Sequence, residues 1–427
     1  MPEGVYVEPQ GLTSQNSTLK WVGWLFFVFA LFPAVSLIPL PIQTDTQPNA
    51  LLAATLVFLV GRRVPLPLPV WTLLVPFAGA LILFIAGGLT INGVRSMLGY
   101  TTVFVVAAAT LVLAASDIRL PDKLLDYSVY LWTFVGAVQR LLWRPFMTFL
   151  IAASRASGET RGVPSLSNEP SLYAMTMIFF IIFYFMRKRE RSFPVFLCVV
   201  QIILFSQSVL GVLFVMIMLG LYALLRFSAP KAIVAVLALF AVSFALFMYG
   251  GNLLAGTRIG GLLKVLEDSP QRILLLDQSV SNRFTSIFYS LKGAVDNAFV
   301  PHGFEAWTDY AYRQDMIYKG IFSSDVDVTR IMSGYGSALF EMGWVGLTIP
   351  ILITIGVAKS VWRDSPARAI IFLLVVHLLL FSPVPLSFPL VGLLIGELFS
   401  HTNGRSRIGS VLSAKPARPF ATDPNAC

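Results

Sequence analysis

Charge is scarce in this chain. Asp, Glu, Lys and Arg make up 12% of its 427 residues, about half the roughly 25% of an ordinary soluble domain. That scarcity excludes a soluble enzyme, a disordered chain and a coiled coil. Histidine occurs three times and cysteine twice. Cys198 lies in an apolar run and Cys427 is the last residue, so no disulfide framework is expected. No His/Cys cluster points to a metal, and no cofactor is expected. The weak alternation of outer-membrane strands is also missing, which excludes a barrel of that kind.

What is abundant is apolar sequence. Hydrophobic residues reach 56% and the mean hydropathy is +0.76. The expectation is an all-α fold, a polytopic transmembrane helical bundle of about 12 spans at about 20 residues each. The apolar runs place spans at 21–42, 49–61, 68–89, 94–115, 123–143, 171–186, 193–206, 208–226, 232–250, 335–358, 367–382 and 384–399. The first is too long for a cleaved signal and lacks a small-residue cleavage site, so it is expected to stay as an anchor. The whole of 1–427 reads as a single integral membrane domain. The tail at 400–427 reads as cytoplasmic and disordered.

The net charge of +9 follows the spans. Arg62 and Arg63, Arg119 and Lys123, Arg187 to Arg191, Arg226 and Lys231, and Lys359 to Arg368 fall in alternate connections. The short connections between them are almost free of positive charge, with Arg95 the exception. Basic residues collect in cytoplasmic loops, so both termini are expected in the cytoplasm. Two longer loops then face outward, 144–170 and 251–334, the second between spans nine and ten.

No Asp or Glu falls in the middle of a span; Glu341 and Glu397 lie near span ends. An ion-coupled transporter usually needs such groups at mid-depth. The outward loops are richer. The first contains Arg155 and Arg161, then Glu169, Pro170 and Ser171 where a span begins. Pro170 suits a first helical turn, and Glu169 and Ser171 are suited to cap it. The arginines alternatively make a mouth that grips phosphate oxygens. Loops as long as 251–334 are uncommon without a function. This one interleaves aromatic rings such as Phe284, Phe304, Trp307 and Tyr312 with charge of both signs. Such rings suit either sugar faces or a membrane interface. SNRFTSIFYSLKGAV reads as an amphipathic helix with Phe284, Ile287, Phe288 and Leu291 on one face. His302 is the one histidine expected outward, either a general base or a turn residue beside Gly303.

Four segments, taken in order, resemble the Wzy-type polysaccharide polymerases and O-antigen ligases of bacterial envelopes. They are RGVPSLSNEPSLYA, LFSQSVLGVL, SNRFTSIFYSLKGAVDNAFVPHGFEAW and SGYGSALFEMGWVGLTIPIL. Gln207 stands where that family usually carries arginine, and Ser333-Gly334 stands where its ligases carry His-Asn. The resemblance implies metal-independent glycosyl transfer at the periplasmic face of the inner membrane. The donor would be an undecaprenyl-pyrophosphate-linked oligosaccharide. Repeat units would be joined into O-antigen, capsule or exopolysaccharide, alongside a chain-length regulator and a flippase. Arg161, Arg283 and Arg330 would hold the pyrophosphate; Glu169 and His302 are the candidate catalytic bases. The missing His-Asn pair favours polymerase over ligase. A non-catalytic transporter or flippase of lipid-linked sugars is a third reading. No nucleic-acid partner is expected.

Overall fold

The computed structural model describes residues 10–36, 48–62, 64, 66, 68–151, 162–187, 192–228, 230–231, 233–234, 237–238, 241, 258–269, 272–323, 329–362 and 365–400. The fold is all-α: two isolated bridges, Val35 with Ile151 and Lys319 with Phe322, are the only β pairings among the described residues. The first five helices are α1 (Gln10–Leu31), α2 (Asn49–Val60), α3 (Leu68–Gly87), α4 (Ile91–Ala115) and α5 (Asp122–Leu141). Next come α6 (Pro170–Met186), α7 (Ser192–Val200) and α8 (Val209–Arg226). The long loop contributes α9 (Arg258–Asp268), α10 (Ile273–Leu276), α11 (Gln278–Asp296) and α12 (Ala306–Ile317). The chain closes with α13 (Gly334–Met342), α14 (Thr348–Val357), α15 (Pro366–Phe381) and α16 (Pro389–Ser400). The tail beyond residue 400 and most of the segment expected at 232–250 lie outside the described residues.

A helix that is apolar all round belongs in an interior, and α6 obeys this. Every residue from Leu172 to Tyr184 is buried. Helix α16 is buried along its whole length, and Phe179 of α6 meets Phe388 just before α16. Helix α3 is the opposite case. Its mean hydropathy reaches 2.2, yet only 17% of that window is buried. Trp71, Ile82 and Ile85 are each more than half exposed. Among the described residues two helices, α3 and α4, are long and apolar enough to cross a membrane, and eight further apolar helical stretches run 10–17 residues.

Several helices start on a side-chain cap. Thr90, Ser208, Ser333 and Ser365 each accept from the backbone N–H three residues on. Such caps contribute about 1 kcal/mol apiece. Helices α7 and α13 each end on a residue with positive φ, one where the expected spans break and one within an expected span. Helix α7 passes into a π-helical turn at Gln201–Ser206 and stops at Gln207, whose φ is 47°. The apolar run at 335–358 is two helices, not one. It breaks at Gly343, where φ is 55° and a Cβ would sit 2.0 Å from the Phe299 carbonyl oxygen. Only glycine fits such a position.

Helix α11 keeps Phe284, Ile287, Phe288 and Leu291 on a half-buried to exposed side and buries its small residues more deeply. Its buried side is Ser281, Thr285, Ser286, Tyr289, Ser290, Gly293 and Ala294, whereas Phe284 is about half exposed. Small residues let two backbones approach. A Cβ on Gly336 of α13 would lie 2.3 Å from Ser290 Oγ, and one on Gly293 would lie 2.6 Å from the Phe340 ring.

Candidate functional site

One end of the bundle holds a cavity of about 1130 Å³. Every odd-numbered connection of the expected span order reaches its wall. Pro48 comes from the first, Asn92 from the third with Arg95 just beyond it in α4, Gly162 and Glu169 from the fifth, and Gln207 from the seventh. The long loop brings Arg283 and Arg330, and the last such connection brings Pro383. Among the described residues, the even-numbered connections contribute none to this wall. Its charged side chains among the described residues are Arg95, Arg283, Arg330, Glu169 and Glu341.

The segment ahead of α6 is a buried loop, from Val163 to Asn168. Loops are seldom buried, because their backbone groups need partners. Gln139 of α5 supplies them. Its amide nitrogen donates to the carbonyls of Phe146 and Ser165, and its oxygen accepts from Ser165 N–H at 2.7 Å. Ser165 takes φ 51° and donates to the Trp132 carbonyl. Val163 N–H donates to the Phe205 carbonyl, and Gly162 lies so close to the break after α7 that a Cβ would be 1.8 Å from Ser206 O. The fifth and seventh connections are therefore locked together.

This clamp sets Glu169. It is the N-cap residue of α6, with Pro170 in the first turn, but its side chain makes no cap bond. The carboxylate instead accepts from Ser171 Oγ and from Arg283 Nη2 at 3.3 Å. Arg283 also donates to Ser171 Oγ at 2.6 Å. Two segments 114 positions apart thus meet in one cluster of guanidinium, hydroxyl and carboxylate. Arg330 lies on the same cavity wall, in the approach to α13 that Met332 N–H pins to Ser286 Oγ. Arg161 falls outside the described residues, one position before Gly162.

His302 is elsewhere. Its ring stacks on Phe340 at 4.3 Å and its Nε2 lies 3.0 Å from the Gly293 carbonyl, where a protonated nitrogen donates. It does not line the cavity. Its backbone N–H and that of Gly303 donate to the Phe340 and Glu341 carbonyls, closing the end of α13. The loop aromatics divide similarly. Tyr289, Trp307, Phe322 and Phe340 form a small core of their own, while Phe284, Phe304 and Trp307 reach the cavity. Beside that core, burial and then the Asp296 charge push the Tyr310 phenol up to about 12. Burial also raises the Asp315 carboxyl.

Sequence reasoning passed over two cavity residues. Arg95 carried a signal, since it was the lone cation in the short outward connections. Glu341 was noted only as lying near a span end. It is buried against α4, accepting from Tyr100 Oη at 2.6 Å and Ser96 Oγ at 3.0 Å.

The cluster can do two things chemically. The arginines can bind phosphate oxygens in a fork and stabilise charge on a leaving oxygen. The carboxylates can take a proton from a hydroxyl. Comparison with known proteins brings no relative to bear, since no family model and no curated protein matches the chain.

Proposed function

We propose that this chain is a glycosyltransferase of the bacterial inner membrane, a polymerase that joins undecaprenyl-pyrophosphate-linked oligosaccharide repeat units. In this reading the helices form about twelve spans, both termini are cytoplasmic, and the cavity opens at the periplasmic face. The observation that carries it is Arg283, tied to Glu169 and Ser171 of the other outward loop and sharing a cavity wall with Arg330. The volume exceeds the roughly 300–1,000 Å³ of small-ligand sites, which suits a lipid pyrophosphate together with sugars. The exposed apolar surface of α3 supports a lipid surrounding, because soluble monomers rarely expose large apolar patches. Arg283 and Arg330 would hold the pyrophosphate and stabilise the leaving oxygen, and Arg161 is the third arginine that the resemblance assigns to the pyrophosphate. A chain-length regulator and a flippase are its expected pathway partners.

Polymerase is preferred to ligase at one place. Where the ligases carry His-Asn, Ser333 caps α13 and donates to the Phe381 carbonyl at 2.8 Å, and Gly334 packs against Val384 O. Those residues serve packing. The cavity's size and mixed charge also favour a second reading, a carrier of lipid-linked sugars without chemistry.

The test uses purified protein in liposomes with an undecaprenyl-pyrophosphate-linked oligosaccharide, its products separated by size. A ladder of longer glycans is expected. Unextended donor beside demonstrably folded protein overturns the polymerase. Movement of that donor between leaflets without extension then selects the carrier.

A further inference from the structure

The proposed transfer needs a group to take the proton of the acceptor hydroxyl. Among the described residues no histidine lines the cavity, and its carboxylates are Glu169 and Glu341. Glu169 is engaged by Arg283 and Ser171. A carboxylate so paired is a weaker base and is placed to orient the guanidinium.

We propose that Glu341 is the base that receives the acceptor proton, an assignment that rests on the polymerase reading. Tyr100 donates to one carboxylate oxygen and Ser96 to the other. A carboxylate offers about four lone-pair directions, so these two bonds fix its orientation and leave acceptor capacity over. Its backbone is fixed as well. The Glu341 carbonyl accepts from Gly303 N–H, and the helix stops two residues later at Gly343. Glu341 is thus held by its side chain from α4 and by its backbone from the long loop. Phe304 and Trp307 line the same cavity, and Phe304 stacks with Tyr100 at 6.0 Å. Flat rings beside a carboxylate suit a sugar face with its hydroxyl aimed at the oxygen.

The step balances without a metal or redox partner. The acceptor oxygen forms a bond to the anomeric carbon of the donor. The bond from that carbon to the pyrophosphate oxygen breaks, and its electron pair leaves on the pyrophosphate. The hydroxyl proton passes to Glu341 and then to solvent.

The test compares wild type, Glu341→Gln and Glu169→Gln in liposomes with an undecaprenyl-pyrophosphate-linked oligosaccharide. Glu341→Gln keeps size and removes the base. Its turnover is expected to fall at least about 100-fold, the usual scale for a positioned base, with donor binding within about threefold. Glu169→Gln is expected to weaken donor binding instead. Glu341→Ala supplies an independent readout, since formate entering the vacated space should restore turnover at least about tenfold. A packing role would not respond to formate. Near-normal turnover in Glu341→Gln, or no formate response in a folded Glu341→Ala, overturns the assignment alone. A folded wild-type protein that leaves the donor unconsumed overturns the polymerase, and this role with it.

Discussion

Helix α6 carries an ion pair at each end, and the two differ in kind. At its start, Glu169 meets Arg283 at 3.3 Å, with the side chains 33% and 20% exposed. At its finish, Arg187 meets Asp122 at 2.8 Å and Glu397 at 3.5 Å, with Arg187 only 11% and Glu397 only 6% exposed. The helix has 17 residues, so these clusters lie roughly 25 Å apart. Both suit the helix dipole, which favours an anion at the N-terminus and a cation at the C-terminus. The same chemistry thus appears in two settings. Arg187 has two carboxylates closing around it, and Tyr184 donates to Asp126 nearby. Arg283 meets Glu169 and Ser171 at the wall of a cavity. A closed pair holds helices together, whereas an open pair leaves room for a ligand.

The sharpest way to break this comparison is to remove each arginine in turn. Arg283→Ala should lower turnover at least about 100-fold, as removal of a charge-stabilising group does, with melting in detergent little changed. Arg187→Ala should do the reverse. It removes the cation that pairs with Asp122 and Glu397 and should cost about 3 kcal/mol, seen as a lower melting temperature, while turnover per folded molecule stays within about threefold. Equal effects of the two on turnover would erase the distinction.

Smaller changes sharpen it. Gly343→Ala forces an L residue into a left-handed conformation against the Phe299 carbonyl and should destabilise by about 2 kcal/mol, measured by thermal melting. Glu305 accepts from Thr90, Asn92 and Gly93 at the start of α4, tying the long loop to that helix. Glu305→Gln should therefore cost about 1 kcal/mol and speed proteolysis of the loop. The least effect is expected from His302→Ala. Its ring is committed to Phe340 and Gly293, so turnover should stay within about twofold; a larger loss would return it to the list of bases.

The helices were legible because apolar runs and punctuating charge both persist along the chain. The bend at Gly343 was not, since the hydrophobic pattern continues across it and only the backbone angle marks the break. Helix α11 was legible only in part, for a related reason. Its apolar stripe was plain in sequence, but the decisive contact is a close approach at Gly293 and Gly336, which composition does not advertise. At the site, Glu169 and Arg283 could each be named from sequence. Their meeting could not, because it depends on Gln139 fixing a buried loop from a different helix. Glu341 was hidden by its setting, a lone acid at the edge of an apolar run whose partners Tyr100 and Ser96 come from α4.

The Arg283 cluster has a consequence for how any anion enters. The guanidinium already has a resident counter-ion in Glu169, and Ser171 bridges the two. An incoming phosphate therefore trades places with a carboxylate instead of meeting a bare cation. Occupancy is then set by a difference between two anions, and the displaced carboxylate must find a new partner among the same few groups. An empty cavity with such a placeholder resists casual occupation by small anions, and it yields to a ligand whose several oxygens engage more than one arginine together.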